Sequence, residues 1–184
     1  MRSITLKKRL KNIDKIIDQL TESDSNFKKV RQRKNILREI IATEKTYVNG
    51  LKSLIDNFMS PLQQGQSGVP TLTPLEIQSI FGNVNAIFAF HHLLLQQLEK
   101  EWKDCGSSMN IASLISKQFP FLKMYIPYIN NFQLSLQTLT KCKQISKFRK
   151  WLESIEKKTG DLPSLLILCV QRVPRYVKIL LNSF

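Results

Sequence analysis

The sequence has few of the residues that interrupt helices. Its 184 residues include only six glycines and seven prolines, and residues 1–49 contain neither. Glycine and proline are the strongest breakers of helical segments. No segment shows the sustained alternation of apolar and polar residues that is typical of a strand. The long intervals between the breakers therefore predict an all-α domain with no internal repeat.

Residues that bind metals or form disulfides are also scarce. The three cysteines, Cys105, Cys142 and Cys169, are far apart and form no CxxC pair, so neither a disulfide framework nor a thiolate metal site is expected. The only two histidines are the adjacent His91 and His92, and no third ligand of the same kind exists. We expect no metal and no cofactor, and the odd number of cysteines favours a reducing, cytoplasmic setting.

Motifs for covalent chemistry and for membrane insertion are missing as well. The chain contains no GxGxxG, GKS, GKT, GxSxG or HExxH string, so neither a nucleotide-binding loop nor hydrolytic machinery is visible. Its longest apolar run, residues 165–170, is far shorter than the ~20 residues of a membrane-spanning helix. The basic N-terminus has no apolar centre and is therefore not a signal peptide.

Acidic residues are half as numerous as basic ones. There are 14 Asp and Glu against 28 Lys and Arg, which gives a formal net charge of +14. Such an excess attracts nucleic acid, an anionic membrane or an acidic partner. The charge is concentrated in residues 1–34 and in a second basic segment, residues 141–158. Because the aromatic residues have the spacing of a core and do not alternate with the basic runs, no nucleic acid is expected and an anionic membrane is favoured.

The first segment, residues 1–32, predicts a basic amphipathic helix that precedes the main domain. One apolar residue recurs every three or four positions in the order Leu6, Leu10, Ile13, Ile17 and Leu20. The polar stretch at residues 21–26 predicts a loop after this helix. The spacing leaves three arrangements open: a helix packed across the domain, a helix on a membrane surface, or a coiled-coil arm.

A second helix is predicted over residues 33–61, and one face of it is not apolar. This face, here called the Glu39 strip, consists of Glu39, Thr43, Thr46 and Gly50. Three of the four residues are small or short, so the backbone of another molecule can approach closely along the strip. Only Glu39 offers a charge there.

The last segment, residues 164–184, is apolar almost all round and predicts a helix in the middle of the bundle. One polar stripe remains, here called the Arg175 strip: Ser164, Gln171, Arg175, Lys178 and Asn182, with Ile167 alongside. The periodicity leaves open whether this strip is an interface or a solvated edge. Pro174 lies inside the helix and is expected to kink it.

Four stretches of the chain resemble the conserved regions of one known domain family. ILREIIATEKTYVNGLKSL, residues 36–54, resembles the first conserved helix of that family, and LPSLLILCVQRVPRYVKILL, residues 162–181, resembles its third conserved region. Between them, FGNVNAIF and FPFLKMYIPYINNF, residues 81–88 and 119–132, are similar to the middle regions of the family. The four stretches occur in the order of that family, which is the Dbl homology domain, the catalytic module of Rho-family guanine-nucleotide exchange factors.

The resemblance implies an elongated, flattened all-α bundle over residues 33–184, with residues 1–32 as an extension. The family domain continues beyond the equivalent of Phe184, so the resemblance implies that its last helix is absent here. The implied function is to stimulate GDP release from a Rho- or Rac-family GTPase by remodelling its switch regions. No covalent step and no cofactor are involved, so the chain is expected to regulate a GTPase and not to be an enzyme itself.

The resemblance also assigns roles to residues of the two strips. It implies that Glu39 engages switch I of the GTPase, that Arg175 engages switch II, and that Ile167 reads the identity of the GTPase and favours a Rac-like one. Further contacts with the GTPase are expected from Thr43, Ile167, Gln171, Lys178 and Asn182. Leu168 and Cys169 depart from the family pattern, which favours proline at position 169.

Two other functions stay open at this level. One is a degenerate Dbl homology domain that binds a GTPase as a scaffold without releasing its nucleotide. The other is a basic helical module that binds a membrane or nucleic acid through its charge alone. The favoured hypothesis is a cytoplasmic exchange factor that associates peripherally with an anionic membrane.

Overall fold

The computed structural model describes residues 2–106 and 111–181, and every regular element in these two ranges is helical. The prediction of an all-α fold is therefore confirmed. In chain order the helices are α1 (Arg2–Leu54), α2 (Ser60–Gln64), α3 (Pro74–Phe81), α4 (Val84–Cys105), α5 (Ile111–Ser116), α6 (Tyr125–Cys142), α7 (Ser146–Thr159) and α8 (Leu162–Leu181). A π-helical turn, Ile55–Met59, follows α1, and a 3₁₀ helix, Phe119–Met124, precedes α6.

Helix α1 is one continuous helix of 53 residues, so the predicted loop at residues 21–26 is wrong. This stretch is polar, but it contains no glycine or proline, and extending an existing helix needs no new nucleation. Ile13 and Phe27 are 52% and 72% exposed. The helix is therefore not packed across the domain at these two positions.

The second half of α1 runs into the π-helical turn because of a proline. Pro61 lacks a backbone N–H, and its ring clashes with the carbonyl four residues earlier in a regular α-helix. The N–H of Ser60 bonds to the carbonyl of Ile55, five residues back, which widens the helix before the proline. The helical path thus extends to Gln64, three residues beyond the predicted end at residue 61. The predicted start at residue 33 is wrong, because α1 is continuous from Arg2.

Helix α3 begins at a capping box. The Thr73 hydroxyl accepts the N–H of Glu76 at 3.2 Å, and the Glu76 carboxylate accepts the N–H of Thr73 at 2.7 Å. Pro74 occupies the first helical position, where a missing N–H costs nothing. The cap fixes where the chain enters α3, which packs against α6.

Helix α8 lies in the middle of the bundle, as expected from its apolar girth. Leu162, Leu166 and Cys169 are fully buried against residues of α1, α3, α6 and α7. A second, smaller core joins α1, α4 and the far end of α8 through Ile40, Leu98 and other apolar side chains. Among the described residues, no helix is both long enough and apolar enough to span a bilayer.

Helices α1 and α8 pack directly on each other and run antiparallel. Later residues of α1 meet earlier residues of α8: Thr43 and Glu44 contact Arg172, whereas Gly50 faces Leu168. A Cβ placed on Gly50 would lie only 2.6 Å from Cδ1 of Leu168. The small residue at position 50 therefore accommodates a helix of the same chain, although the sequence suggested that it leaves room for another molecule.

The close approach at Gly50 predicts a steep dependence of stability on side-chain size. In Gly50→Ala, a rotamer change of Leu168 costs about 0.5–1.5 kcal/mol, which the better helix propensity of alanine roughly offsets. Gly50→Val overpacks the contact and costs about 1–3 kcal/mol more than Gly50→Ala. Urea unfolding of both variants tests this, with Ala42→Val at an exposed position of α1 as the control for β-branching. The packing described would be contradicted if valine in place of alanine lowered the free energy of unfolding by no more at position 50 than at position 42.

Candidate functional site

The two polar strips predicted from the sequence lie next to each other on the surface. In α1, Glu39 is exposed and Thr43 is half-buried; in α8, Gln171 and Arg175 are exposed and Ile167 is half-buried. The contact between Gly50 and Leu168 joins the two helices at the edge of both strips. The described side chains of both strips therefore border the outer edge of the α1–α8 contact.

Among the described side chains of this surface, the charged ones are Glu39 and Arg175. The Thr43 hydroxyl donates to the carbonyl of Ile40 at 3.1 Å, and the Thr46 hydroxyl donates to that of Ala42 at 3.0 Å, so both protons are used within α1. Neither Glu39 nor Arg175 has an ion-pair partner among the residues that the structure describes. One acceptor and one donor are thus available to another molecule.

Two predicted site residues cannot be placed in full. Lys178 belongs to α8, but its side chain lies outside the described residues. Asn182 lies outside them altogether. Their predicted contacts with a GTPase stay predictions.

A buried polar cluster lies beneath the surface formed by the two strips. It joins three helices and the start of a fourth, and we call it the Glu44 cluster: Glu44, Tyr47, His91, Tyr125, Arg172 and Tyr176. Glu44 and His91 are completely buried, and Arg172 is only 3% exposed. Buried charges of this kind are tolerated only when they are paired and hydrogen-bonded.

The carboxylate of Glu44 uses both of its oxygens. Oε1 accepts from Nδ1 of His91 at 2.6 Å, and Oε2 accepts from Nη2 of Arg172 and from the Tyr176 hydroxyl. The hydrogen bonds continue on the other side of the imidazole, where the Tyr125 hydroxyl lies 2.5 Å from Nε2. Tyr47 completes the series with its hydroxyl 3.0 Å from that of Tyr125.

Arg172 has a second contact with α1 and an aromatic environment. Its Nη1 donates to the backbone carbonyl of Thr43 at 3.4 Å. The guanidinium lies 4.3 Å from the ring centre of Tyr176 and 4.9 Å from that of Tyr47, which places it in cation–π range of both. Its Nε has no partner among the described residues.

The environment of Glu44 keeps it ionised. Burial by itself raises the pKa of a carboxyl group, but the hydrogen bond from His91, the electrostatic attraction of His91 and Arg172, and the Tyr176 hydroxyl hold the pKa of Glu44 below its usual value. Burial and the nearby carboxylate raise the pKa of Tyr176, which therefore stays a hydrogen-bond donor. The cluster is consequently a fixed ion pair at neutral pH.

The sequence contains a sign of this cluster, although only the two polar strips were predicted from it. Glu44 and Arg172 are charged residues on helix faces that are otherwise apolar. Such a residue is either one half of a buried pair or a solvated residue, and the sequence alone does not distinguish the two. His91 was expected to have no catalytic or metal-binding role. Within the described ranges, no group of three or more His, Cys, Asp or Glu side chains could hold a metal ion.

Comparison with known proteins gives consistent matches over most of the chain. A profile of the RhoGEF domain matches residues 36–183. "Guanine exchange factor for Rac 30" of Dictyostelium discoideum is 33% identical over 153 residues, and human "Protein ECT2" is 37% identical over 160 residues. A solved structure of the Vav1 exchange factor superposes with a TM-score of 0.75 at 25% identity and covers 84% of this chain.

The matched regions are small parts of these larger proteins. The alignments cover 81% and 82% of this chain, but only 9% and 17% of the two relatives, and the superposition covers 42% of the Vav1 chain. The similarity therefore concerns one domain of each protein.

The lowered pKa of Glu44 predicts how its contribution to stability depends on pH. Glu44→Gln leaves the Arg172 charge buried without its counter-ion, which costs about 3–5 kcal/mol at pH 7. Because the folded-state pKa lies below the unfolded one, the ionised carboxylate stabilises the fold fully above the usual value of 4.5, and this contribution is lost as the pH falls through the folded pKa. Urea unfolding from pH 7 to about pH 3 should show the gap between wild type and Glu44→Gln narrowing with acid. The exposed Glu153→Gln is the control, and a constant gap would contradict the account.

Proposed function

The chain belongs to the RhoGEF domain family, and from this premise we propose that it stimulates GDP release from a Rho- or Rac-type GTPase. The observation that supports the proposal is the open surface beside the α1–α8 contact, with Glu39 and Arg175 exposed and without ion-pair partners among the described residues. These are the two positions at which the family resemblance assigns contacts with switch I and switch II. The sequence pattern and the open surface support the same pair of residues.

The proposed mechanism needs no covalent step. A GTPase holds its nucleotide and Mg²⁺ with mobile switch loops. A partner that binds the open, empty form more tightly than the loaded form lowers the barrier to release by that difference. In this scheme Glu39 accepts hydrogen bonds from switch I groups that otherwise serve the nucleotide side, and Arg175 donates to carbonyl groups of switch II.

The other residues of the strips define the partner more narrowly. Ile167 is half-buried at the edge of the Arg175 strip, where it offers an apolar contact, and we propose that it favours a Rac-like GTPase. Gln171, Lys178 and Asn182 extend the contact along α8. Thr43 contributes through its methyl group and oxygen, because its hydroxyl proton is already donated to Ile40.

A second proposed partner is an anionic membrane, and α7 provides the surface for it. Lys147, Lys150, Lys157 and Lys158 are all exposed at i, i+3, i+10 and i+11, so they lie on one side of the helix, here called the α7 lysine face. None of the four has an ion-pair partner among the described residues. Trp151 is half-buried beside them, and indole rings favour the boundary between headgroups and acyl chains.

This second proposal concerns location. Each lysine near an anionic leaflet contributes about 1 kcal/mol of attraction, so four of them can orient the domain. The three cysteines are free thiols, which is compatible with the reducing cytoplasm. We therefore propose a cytoplasmic domain that associates peripherally with the membrane.

Loss of either strip charge is expected to abolish most of the exchange activity. Glu39→Ala and Arg175→Ala should each slow GDP release by about 30-fold or more, because each removes one side of a hydrogen-bonded contact that is desolvated in the complex. The measurement is release of a fluorescent GDP analogue from a Rac-type GTPase. Glu153→Ala and Arg149→Ala, on exposed positions of α7, are matched controls and should keep wild-type rates.

The same assay separates the alternative functions. A wild-type chain that binds the nucleotide-free GTPase without accelerating release would be a scaffold and would contradict the exchange proposal. A chain that binds neither loaded nor empty GTPase would contradict GTPase recognition as a whole.

The α7 lysine face is tested by charge reversal. The variant K147E/K150E/K157E/K158E should bind vesicles that contain phosphatidylserine more than about tenfold less tightly than wild type. The matched control, K100E/K103E/K117E/K123E, changes the net charge equally at exposed lysines elsewhere and should retain most of the binding. Equal losses in the two variants would show that only the overall charge matters. Binding of the wild type to pure phosphatidylcholine would also contradict the proposal.

A further inference from the structure

We propose that Arg172 is a positioning residue: its two-point contact with α1 sets the axial register of α1 against α8 and so fixes where Glu39 and Arg175 stand relative to each other. The consequence for exchange rests on the proposed function. The consequence for the register of the two helices does not.

The first argument is the geometry of the contact. Nη1 of Arg172 donates to the carbonyl of Thr43, and Nη2 donates to Oε2 of Glu44, so one planar group touches two consecutive residues of α1. A guanidinium presents its donors in a rigid fork, which fixes orientation as well as distance. An ammonium group is a single point charge and cannot reproduce both contacts in the same way.

The second argument is the confinement of that group. The rings of Tyr47 from α1 and Tyr176 from α8 both lie within cation–π distance of the guanidinium. Glu44 is itself held by His91 of α4 through a hydrogen bond of 2.6 Å. The pair therefore cannot slide along the α1–α8 contact without breaking contacts to three helices.

The third argument is the short path from the pair to the two strips. Arg175 is three residues beyond Arg172, and Glu39 is five residues before Glu44, so each lies about one helical turn from the pair. Helices transmit axial shifts rigidly, and a slip by one residue moves a strip by about 1.5 Å. A displacement of that size is enough to misplace two groups that must contact their partner together.

The fourth argument concerns why a charge lies there at all. A buried ion pair is seldom better for stability than apolar residues of the same volume, because desolvation offsets the attraction. The best-attested use of such groups is to specify one register among several. The Arg172 guanidinium needs two particular acceptors on α1, so it distinguishes one register from another more sharply than the apolar contacts elsewhere on α1 and α8 do.

The test compares variants that change the fork with one that leaves it intact. Arg172→Lys keeps the charge but loses the two-point contact, whereas Tyr176→Phe removes one donor to Glu44 and leaves the fork in place. Spin labels at exposed positions 49 of α1 and 164 of α8, in a Cys105→Ser background, report the register without any GTPase. Burial raises the pKa of the Cys142 thiol and raises that of the Cys169 thiol to about 11, so both stay protonated and unreactive towards the label.

We expect a narrow distance distribution for wild type and for Tyr176→Phe, and a shifted or broadened one for Arg172→Lys. Release of GDP should fall about tenfold or more for Arg172→Lys and change little for Tyr176→Phe. The stability control is Ser135→Ala, which removes a buried hydrogen bond between α6 and α3 and should lower the melting temperature without changing the distance or the exchange rate.

Three results would overturn the proposal. The first is an unchanged distance distribution in Arg172→Lys, whatever its activity. The second is a changed distribution with full exchange activity. The third is an equal loss of exchange in Ser135→Ala at the same loss of stability, which would assign the effect to folding alone. A wild type without exchange activity refutes the proposed function instead, while the spin-label distances still decide the register.

Discussion

The structure depends on the buried ion pair of Glu44 with Arg172, at the contact between α1 and α8. Its two partners are separated by 128 residues of sequence, so the pair forms only when these two helices meet. His91 from α4 and Tyr125 from α6 complete the hydrogen bonding of the carboxylate side. Four helices thus meet at one hydrogen-bonded cluster, and a wrong register would leave a charge unpaired in the core.

This constraint explains how the bundle can leave two charged side chains, Glu39 and Arg175, exposed on its surface. The inner sides of α1 and α8 are used by the ion pair and by apolar packing, and the close approach at Gly50 and Leu168 brings the helices together. The neighbouring outer sides are left to Glu39 and Arg175, which need no partner for folding. The residues of a surface that binds another protein can therefore change, while the ion pair beneath it keeps α1 and α8 in the same arrangement.

The sequence predicted those features that depend on local pattern. The all-α fold and the two polar strips follow from spacing and from the positions of glycine and proline. The loop at residues 21–26 was wrong because polar composition alone does not end a helix. The Glu44 cluster was not predicted, since it needs partners from distant segments, and a charge on an apolar face looks the same whether it is paired or solvated.

The central claim is that the ion pair holds Glu39 and Arg175 on one surface that a Rho- or Rac-type GTPase recognises. A structure of the chain bound to a nucleotide-free GTPase of this class tests it most directly. The account predicts that the switch regions lie against both strips, with Glu39 and Arg175 in the interface and the Glu44–Arg172 pair unchanged beneath them. A complex in which the GTPase binds another face, or in which the buried pair is broken, would contradict it.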